Sequence, residues 1–268
     1  MRKNAWVICC CTAVLAAFGT FFRWLQDQVC FEAETGLAVR GSIWPYAVAL
    51  MIVIAAVVLA VVCFRMKNQP HTSFPDSLPA AFAAAPRVRT IGGVVLGALL
   101  AVGGAWLMIS SGTLSSPGLQ RVLAVLAIVT GAAFARQMLA PGDAEATSGA
   151  VVCVSMPIVL LAFWLIVSYK VNIINPTISA YAVEILALCA ALIAFYQLAG
   201  FAYGRPKAIK SIFWSQFAAF LCITALPDDR TGAQQLMLAA IAGILVFQSY
   251  LTASNIRPAV SGPVGGAQ

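Results

Sequence analysis

Residues 44–64 read WPYAVALMIVIAAVVLAVVCF, a run without a single charged side chain. At about 1.5 Å per residue in an α-helix, this run is about as long as the hydrocarbon core of a bilayer is thick. Pro45 fits the first turn of such a helix, where a missing N–H leaves no hydrogen bond unmade. The run therefore predicts a helix that crosses a membrane.

The rest of the chain has the same character. Of its 268 residues, 62% are hydrophobic and only 9% are charged, and the mean hydropathy is +0.93. A soluble domain of this length needs more polar side chains to cover its surface. We predict an all-α, polytopic integral membrane protein with the lipid bilayer as its main partner. Residues 1–256 would form a single membrane-embedded domain, and residues 257–268 a disordered cytoplasmic tail.

Eight apolar runs are separated by polar or proline-rich segments. The predicted spans are residues 5–22, 44–64, 91–110, 119–139, 149–169, 177–201, 211–226 and 233–253. The first run resembles a signal sequence, but no convincing small-residue cleavage site follows it, so we predict a retained helix. Between the second and third spans, Leu78 and Phe82 lie among prolines, which fits either a short interfacial helix or a proline-broken loop.

The basic residues predict the orientation. With eight crossings and a cytoplasmic N-terminus, 11 of the 16 Lys and Arg residues fall on the cytoplasmic side, at every connection assigned to it. Both termini would then be cytoplasmic, in a plasma (inner) membrane of bacterial type. The net charge of +7 comes from residues that flank apolar runs, so it does not indicate nucleic-acid binding.

A weak internal similarity divides the chain near residue 140. Tyr46-Ala47-Val48 opens the second span, and Tyr181-Ala182-Val183 opens the sixth, 135 positions later. Four crossings in each half would give two repeats of the same orientation, 1–140 and 141–256. Three shared residues in alanine-rich helices also arise by chance, so both interpretations remain open.

Small residues recur at intervals of four in the third and fourth spans. Such spacing leaves a smooth face on which another helix backbone approaches closely. We predict that these two helices pair through Gly93, Gly97, Ala101, Ala127, Gly131 and Ala135.

Glu184 is the one acidic residue inside an apolar run, about 10 Å from the outer end of its helix. A carboxyl group at that depth needs a partner, and Lys170 and Arg121 lie at a matching depth. The candidate intramembrane polar site comprises Glu184, Lys170, Tyr181 and Gln197. Two roles remain open: binding a proton, cation or cationic solute, and forming structural hydrogen bonds between helices.

Residues 23–43 form the largest predicted outer loop. Its acids, Asp27, Glu32 and Glu34, could together hold a cation or a basic ligand. The alternative is a solvated loop with its own salt bridges, which fits as well because the spacing of these acids matches no calcium-binding loop. Cys30 would be either a free thiol or an intermolecular link in this loop.

The chain carries no nucleotide-binding loop, no zinc-peptidase or serine-hydrolase motif and no Cys/His cluster. We therefore predict no catalytic, cofactor or metal site, and lean against an enzyme. The leading hypothesis is a nucleotide-independent permease or carrier for a small or hydrophobic solute. The alternative is a non-transporting scaffold or accessory subunit. Either would accommodate a homo-oligomer or a membrane-protein partner.

Overall fold

The structure is a computed structural model. It describes residues 2–30, 42–68, 72–83, 86–114, 116–139, 148–172 and 178–258. Nearly all of these residues are helical, which confirms the predicted all-α class. The Glu32 and Glu34 members of the predicted outer-loop site lie outside the described residues.

The described residues form nine α-helices. They are α1 (Arg2–Val29), α2 (Trp44–Lys67), α3 (Leu78–Ala81), α4 (Pro86–Ser110), α5 (Pro117–Leu139), α6 (Ser148–Asn172), α7 (Ile178–Ala202), α8 (Ala208–Thr224) and α9 (Gly232–Ser254), with a 3₁₀ turn at Ser111–Thr113. Thr72–Ser73 (β1) and Arg257–Pro258 (β2) form a two-residue antiparallel pairing.

Seven of the described helices are long and apolar enough to cross a membrane, and α8, at 17 residues, is a shorter apolar helix. The chain is therefore a multi-pass membrane protein by length and composition. The exact number of crossings, the cytoplasmic termini and the internal duplication stay predictions.

Six helices form a closed ring in which each packs on the next: α4, α5, α6, α7, α8 and α9, with α9 returning to α4. Helices α1 and α2 pack outside the ring against α8, and α1 also contacts α9. Since α8 is surrounded by α1, α2, α7 and α9, most of its side chains are buried. Helix α2 lies at the periphery, and its apolar side chains are largely exposed.

Helices α4 and α5 form the most extensive contact of the bundle. A Cβ atom added to Gly97 would lie 2.5 Å from the Gly131 carbonyl oxygen, and one added to Gly104 would lie 2.8 Å from the Ala124 carbonyl oxygen. A Cβ atom on Gly93 would clash with Met138. The two backbones approach closely because these positions carry no side chain.

The prediction that α1 ends near Phe22 was wrong. The helix continues to Val29, and Arg23 and Gln26 on its last turns are almost fully buried. Of the predicted loop, residues 23–29 are instead the end of this helix, where Arg23 pairs with Asp228 of the bundle. Cys30 is also buried, and its Sγ lies 2.8 Å from the Ser42 hydroxyl, so it is not an exposed loop thiol.

The segment between α2 and α4 contains the short helix α3, which was one of the two predicted alternatives. Asn255 at the end of α9 donates to the Ala81 carbonyl at 2.7 Å, and Arg89 donates to the Phe82 carbonyl at 3.0 Å. Arg257 and Pro258, placed in the predicted disordered tail, are ordered by their pairing with β1. Residues 259–268 lie outside the described part.

Candidate functional site

Three elements, α1, α7 and the turn between α8 and α9, bring a group of ionisable side chains together at one end of the bundle. Arg23 on α1 donates from Nε to Asp228 Oδ1 at 2.7 Å. Arg230 donates from Nη2 to Asp228 Oδ2 at 2.7 Å, and its Nε lies 3.3 Å from Glu184 Oε2. Asp27, one helical turn further along α1, has its Oδ1 3.8 Å from Arg23 Nε. We call these five residues the ion cluster.

The ion cluster is largely removed from solvent. Arg23 is 1% exposed and Asp228 is 6% exposed, while the Arg230 side chain is 6% and that of Asp27 is 25% exposed. Removing one partner of a buried ion pair typically costs about 3–5 kcal/mol, because the other charge stays buried without compensation. Two arginines face three carboxyl groups, so the cluster leaves an excess of negative charge if all five groups are ionised.

Close packing of α1 on α8 positions Arg23. A Cβ atom on Gly19 would lie 2.5 Å from Thr224 Oγ1, so only glycine lets α1 approach α8 at this point. The neighbouring Thr20 hydroxyl donates to the Ile223 carbonyl at 3.1 Å. One turn further along α1, Arg23 meets Asp228 in the turn after α8 and also donates from Nη1 to Gln26.

Glu184 faces α6 as well as Arg230. Ser168 and Trp164 on α6 line the same cleft as its carboxylate, and their hydroxyl and indole N–H groups are near it. The ion-pair partner of Glu184 is therefore Arg230. The prediction that Lys170 or Arg121 would be this partner was wrong. Lys170 is exposed because it lies about 200° around α6 from Ser168.

The other predicted partner, Arg121, is also exposed at the start of α5. Its Nε donates to the Ser111 hydroxyl at 3.4 Å, at the 3₁₀ turn that follows α4. It therefore belongs to the α4–α5 connection and not to the ion cluster.

A cleft of about 540 Å³ opens beside the ion cluster. All five residues of the ion cluster line it. They are joined there by residues of α6, α7 and α9, among them Trp164, Ser168, Asn172, Tyr181 and Gln234.

Two predicted site residues, Glu184 and Tyr181, therefore meet at this cleft, and Asp27 from the predicted outer-loop site joins them. Gln197 does not, because it lies 13 positions from Glu184, about 20 Å along α7. Among the described residues, no group of His, Cys, Asp and Glu could hold a metal ion.

No family model, curated protein or solved structure matches this chain. The chemistry open to the cleft is accordingly inferred from its own side chains. They offer carboxylates, guanidinium groups, hydroxyls, amides and two aromatic rings, a set that suits a small polar ligand.

Sequence reasoning missed Asp228 and Arg230. Both lie in Pro227-Asp228-Asp229-Arg230, which marks the end of an apolar run and looks like an ordinary solvated turn. One signal was available: Arg230 follows the seventh span on the predicted outer side, which is the side of the membrane nearer to Glu184, and Glu184 needed a cationic partner.

Proposed function

We propose that this protein is a nucleotide-independent carrier that binds a small polar solute in the cleft beside the ion cluster. The observation that carries the proposal is a buried network of charges that both lines an open cleft and links helices that are distant in sequence. The polar lining narrows the predicted solute class, since a hydrophobic solute would gain little from these groups.

The cluster connects parts of the bundle that would have to move in a carrier. Arg23 links α1 to the α8–α9 turn, and Arg230 links that turn to α7 through Glu184. A solute that competes for Arg230 or Glu184 would alter these links. Binding would then favour one arrangement of the helices over another, as carrier function requires.

Arg230 has spare hydrogen-bonding capacity for such a competitor. Its Nη1 is buried and has no hydrogen-bond partner among the described residues. A buried donor without an acceptor is unfavourable by about 1–3 kcal/mol, more when it is charged. A solute oxygen that reached Nη1 would remove this penalty after a small displacement of the side chain.

In the proposed topology, the chain crosses the membrane eight times with both termini in the cytoplasm. The ends of the helices next to Arg65, Lys67, Arg87 and Lys210 then face the cytoplasm, and we call this the basic end of the bundle. The cleft lies at the opposite end and would receive solute from outside the cell.

Counterflow in liposomes tests the carrier proposal. Purified protein would be reconstituted and assayed with radiolabelled glycine, choline, urea, glycerol and acetate, which represent zwitterionic, cationic, neutral and anionic polar solutes. We expect accumulation of at least one probe above that in protein-free liposomes, and at least a tenfold loss with Glu184→Gln. Gln197→Ala, on the same helix but outside the cleft, is the matched control. No counterflow of any of the five probes would overturn the proposal.

A second candidate is a scaffold or accessory subunit. It is favoured by one observation: Arg23 and Asp228 form an ion pair with each other inside the protein, as in a purely structural contact between helices. Crosslinking in native membranes followed by purification separates the two proposals. A stable partner of fixed stoichiometry, together with a failed counterflow assay, would favour the scaffold.

A further inference from the structure

The five residues of the ion cluster form a row in which acids and arginines alternate. Asp228 lies in the middle and contacts both arginines at 2.7 Å. The two ends are acids with a single arginine each: Asp27 lies 3.8 Å from Arg23, and Glu184 lies 3.3 Å from Arg230. Negative charge is therefore least compensated at the two ends of the row.

The two end carboxylates differ in exposure. The side chain of Glu184 is 10% exposed, and Ser168 and Trp164 lie beside it in the cleft. The side chain of Asp27 is 25% exposed, and its separation of 3.8 Å from Arg23 is too long for a hydrogen bond. Asp27 is therefore the carboxylate of the ion cluster that has room for a cationic group from the cleft.

Arg230 is an arginine with an unmet hydrogen-bond donor. Its Nη2 donates to Asp228 and its Nε lies 3.3 Å from Glu184, but its Nη1 has no partner among the described residues. The side chain is only 6% exposed, and the residue lines the cleft. An anionic acceptor suits a buried guanidinium N–H best, since charge-assisted hydrogen bonds are about twice as strong as neutral ones. The cluster therefore lacks an acceptor at Arg230 as well as a cation at Asp27.

The charge of the cleft decides among the classes of solute. Two arginines and four carboxylates line it, because the exposed Asp229 adds to the three acids of the ion cluster. A simple anion would meet Arg230 but add to this excess of negative charge. A simple cation would meet Asp27 but leave Nη1 without an acceptor. A zwitterion meets both groups and adds no net charge.

We propose that the solute is a zwitterion of the amino-acid type, whose ammonium group donates to Asp27 and whose carboxylate accepts from Arg230 Nη1. Both residues line the same cleft, and only Arg23 and Asp228 stand between them in the row. Because Nη1 is buried, the carboxylate reaches it after a small displacement of the Arg230 side chain. This inference rests on the proposed carrier function, since it names the solute class for the same cleft.

The test measures binding to the full-length protein in detergent, separately from transport. Thermal unfolding would be followed with each standard L-amino acid, β-alanine and γ-aminobutyrate over a range of concentrations. A ligand that binds only the folded state raises the unfolding temperature by an amount set by its concentration relative to Kd. We expect at least one of these zwitterions to raise it.

Two analogues of the best ligand separate the contributions of its two charged groups. In the hydroxy acid, a hydroxyl replaces the ammonium group, and in the amide, a carboxamide replaces the carboxylate. Each analogue should bind about tenfold or more weakly than the zwitterion, because each lacks one of the two charge-assisted contacts.

Asp27→Asn should remove the preference for the ammonium group. We expect the zwitterion to bind about tenfold more weakly and the hydroxy acid at least as well as before, because its carboxylate is repelled less. Arg23 keeps Asp228 as its partner, so the variant should fold. The matched control, Asp76→Asn, makes the same charge change at an exposed residue outside the cleft and should keep the preference of the parent.

Three results would overturn the inference: no effect of any of these zwitterions, analogues that bind as tightly as the zwitterion, or an Asp27→Asn variant that weakens both ligands equally. Counterflow in liposomes keeps it apart from the carrier proposal. Counterflow of choline, urea, glycerol or acetate without zwitterion binding would leave the carrier standing and remove the zwitterion site. Zwitterion binding without counterflow of that zwitterion or of any of the five probes would leave the site standing and remove the carrier.

Discussion

Arg23 and Asp228 are 205 positions apart in the chain, yet the arginine Nε donates to the aspartate Oδ1 at 2.7 Å in a place almost closed to solvent. The pair joins the first helix to the turn between the last two. It therefore ties α1, which lies outside the six-helix ring, to the ring itself.

Asp228→Asn should destabilise the protein by about 3–5 kcal/mol, because Arg23 and Arg230 would both lose a buried anionic partner. Unfolding in mixed micelles monitored by tryptophan fluorescence measures the change. Asp229→Asn is the matched control, since this neighbour is exposed and should change stability by less than about 0.5 kcal/mol. Equal effects of the two variants would contradict the pairing.

The double variant Arg23→Met with Asp228→Leu should be more stable than either single variant. A buried ion pair replaced as a whole by apolar side chains leaves no uncompensated charge, whereas each single variant leaves one. Arg230 keeps Glu184 as a partner in the double variant. Strictly additive losses would show that Arg23 and Asp228 act independently.

Arg230→Gln should reduce both stability and counterflow as Glu184→Gln does, because each variant removes the same ion pair. Lys170→Gln should change neither property, since Lys170 is exposed on the far side of α6. The comparison needs only the thermal unfolding and counterflow assays. A large effect of Lys170→Gln with none of Arg230→Gln would restore the partner expected from the sequence.

Gly97→Val should separate α4 from α5 and destabilise the bundle by about 1–3 kcal/mol or more, because the new side chain would meet the Gly131 backbone. Gly118→Ala is the matched control, since nothing lies within 4 Å of the added Cβ. Thermal unfolding of both variants measures the difference. A tolerated valine at position 97 would contradict the close approach of the two helices.

Single-cysteine reporters test the proposed orientation. In a background lacking native cysteines, Asp229→Cys should react with an impermeant maleimide in intact cells, and Lys207→Cys only after permeabilisation. Both positions are exposed, at opposite ends of α8. The native Cys30 would be a poor reporter because it is buried. The reverse labelling pattern would invert the topology.

The sequence by itself determined the helical membrane class and the approximate helices. Long uncharged runs such as 44–64 can be stable in lipid only with their backbone hydrogen bonds satisfied within the helix. It also singled out Glu184 as a charge that needs a partner, because burial of a carboxyl group in a membrane is costly whatever the fold.

Only the tertiary structure decided that Arg230 is the partner of Glu184. Arg230 follows Glu184 by 46 positions and looks like a turn residue, and Arg23 precedes it by 161 in a segment that resembled a loop. Hydropathy measures how apolar a segment is, and it carries no information about which helices are neighbours. The ring of α4 to α9, and the packing of α1 on α8, brought these charges to one cleft.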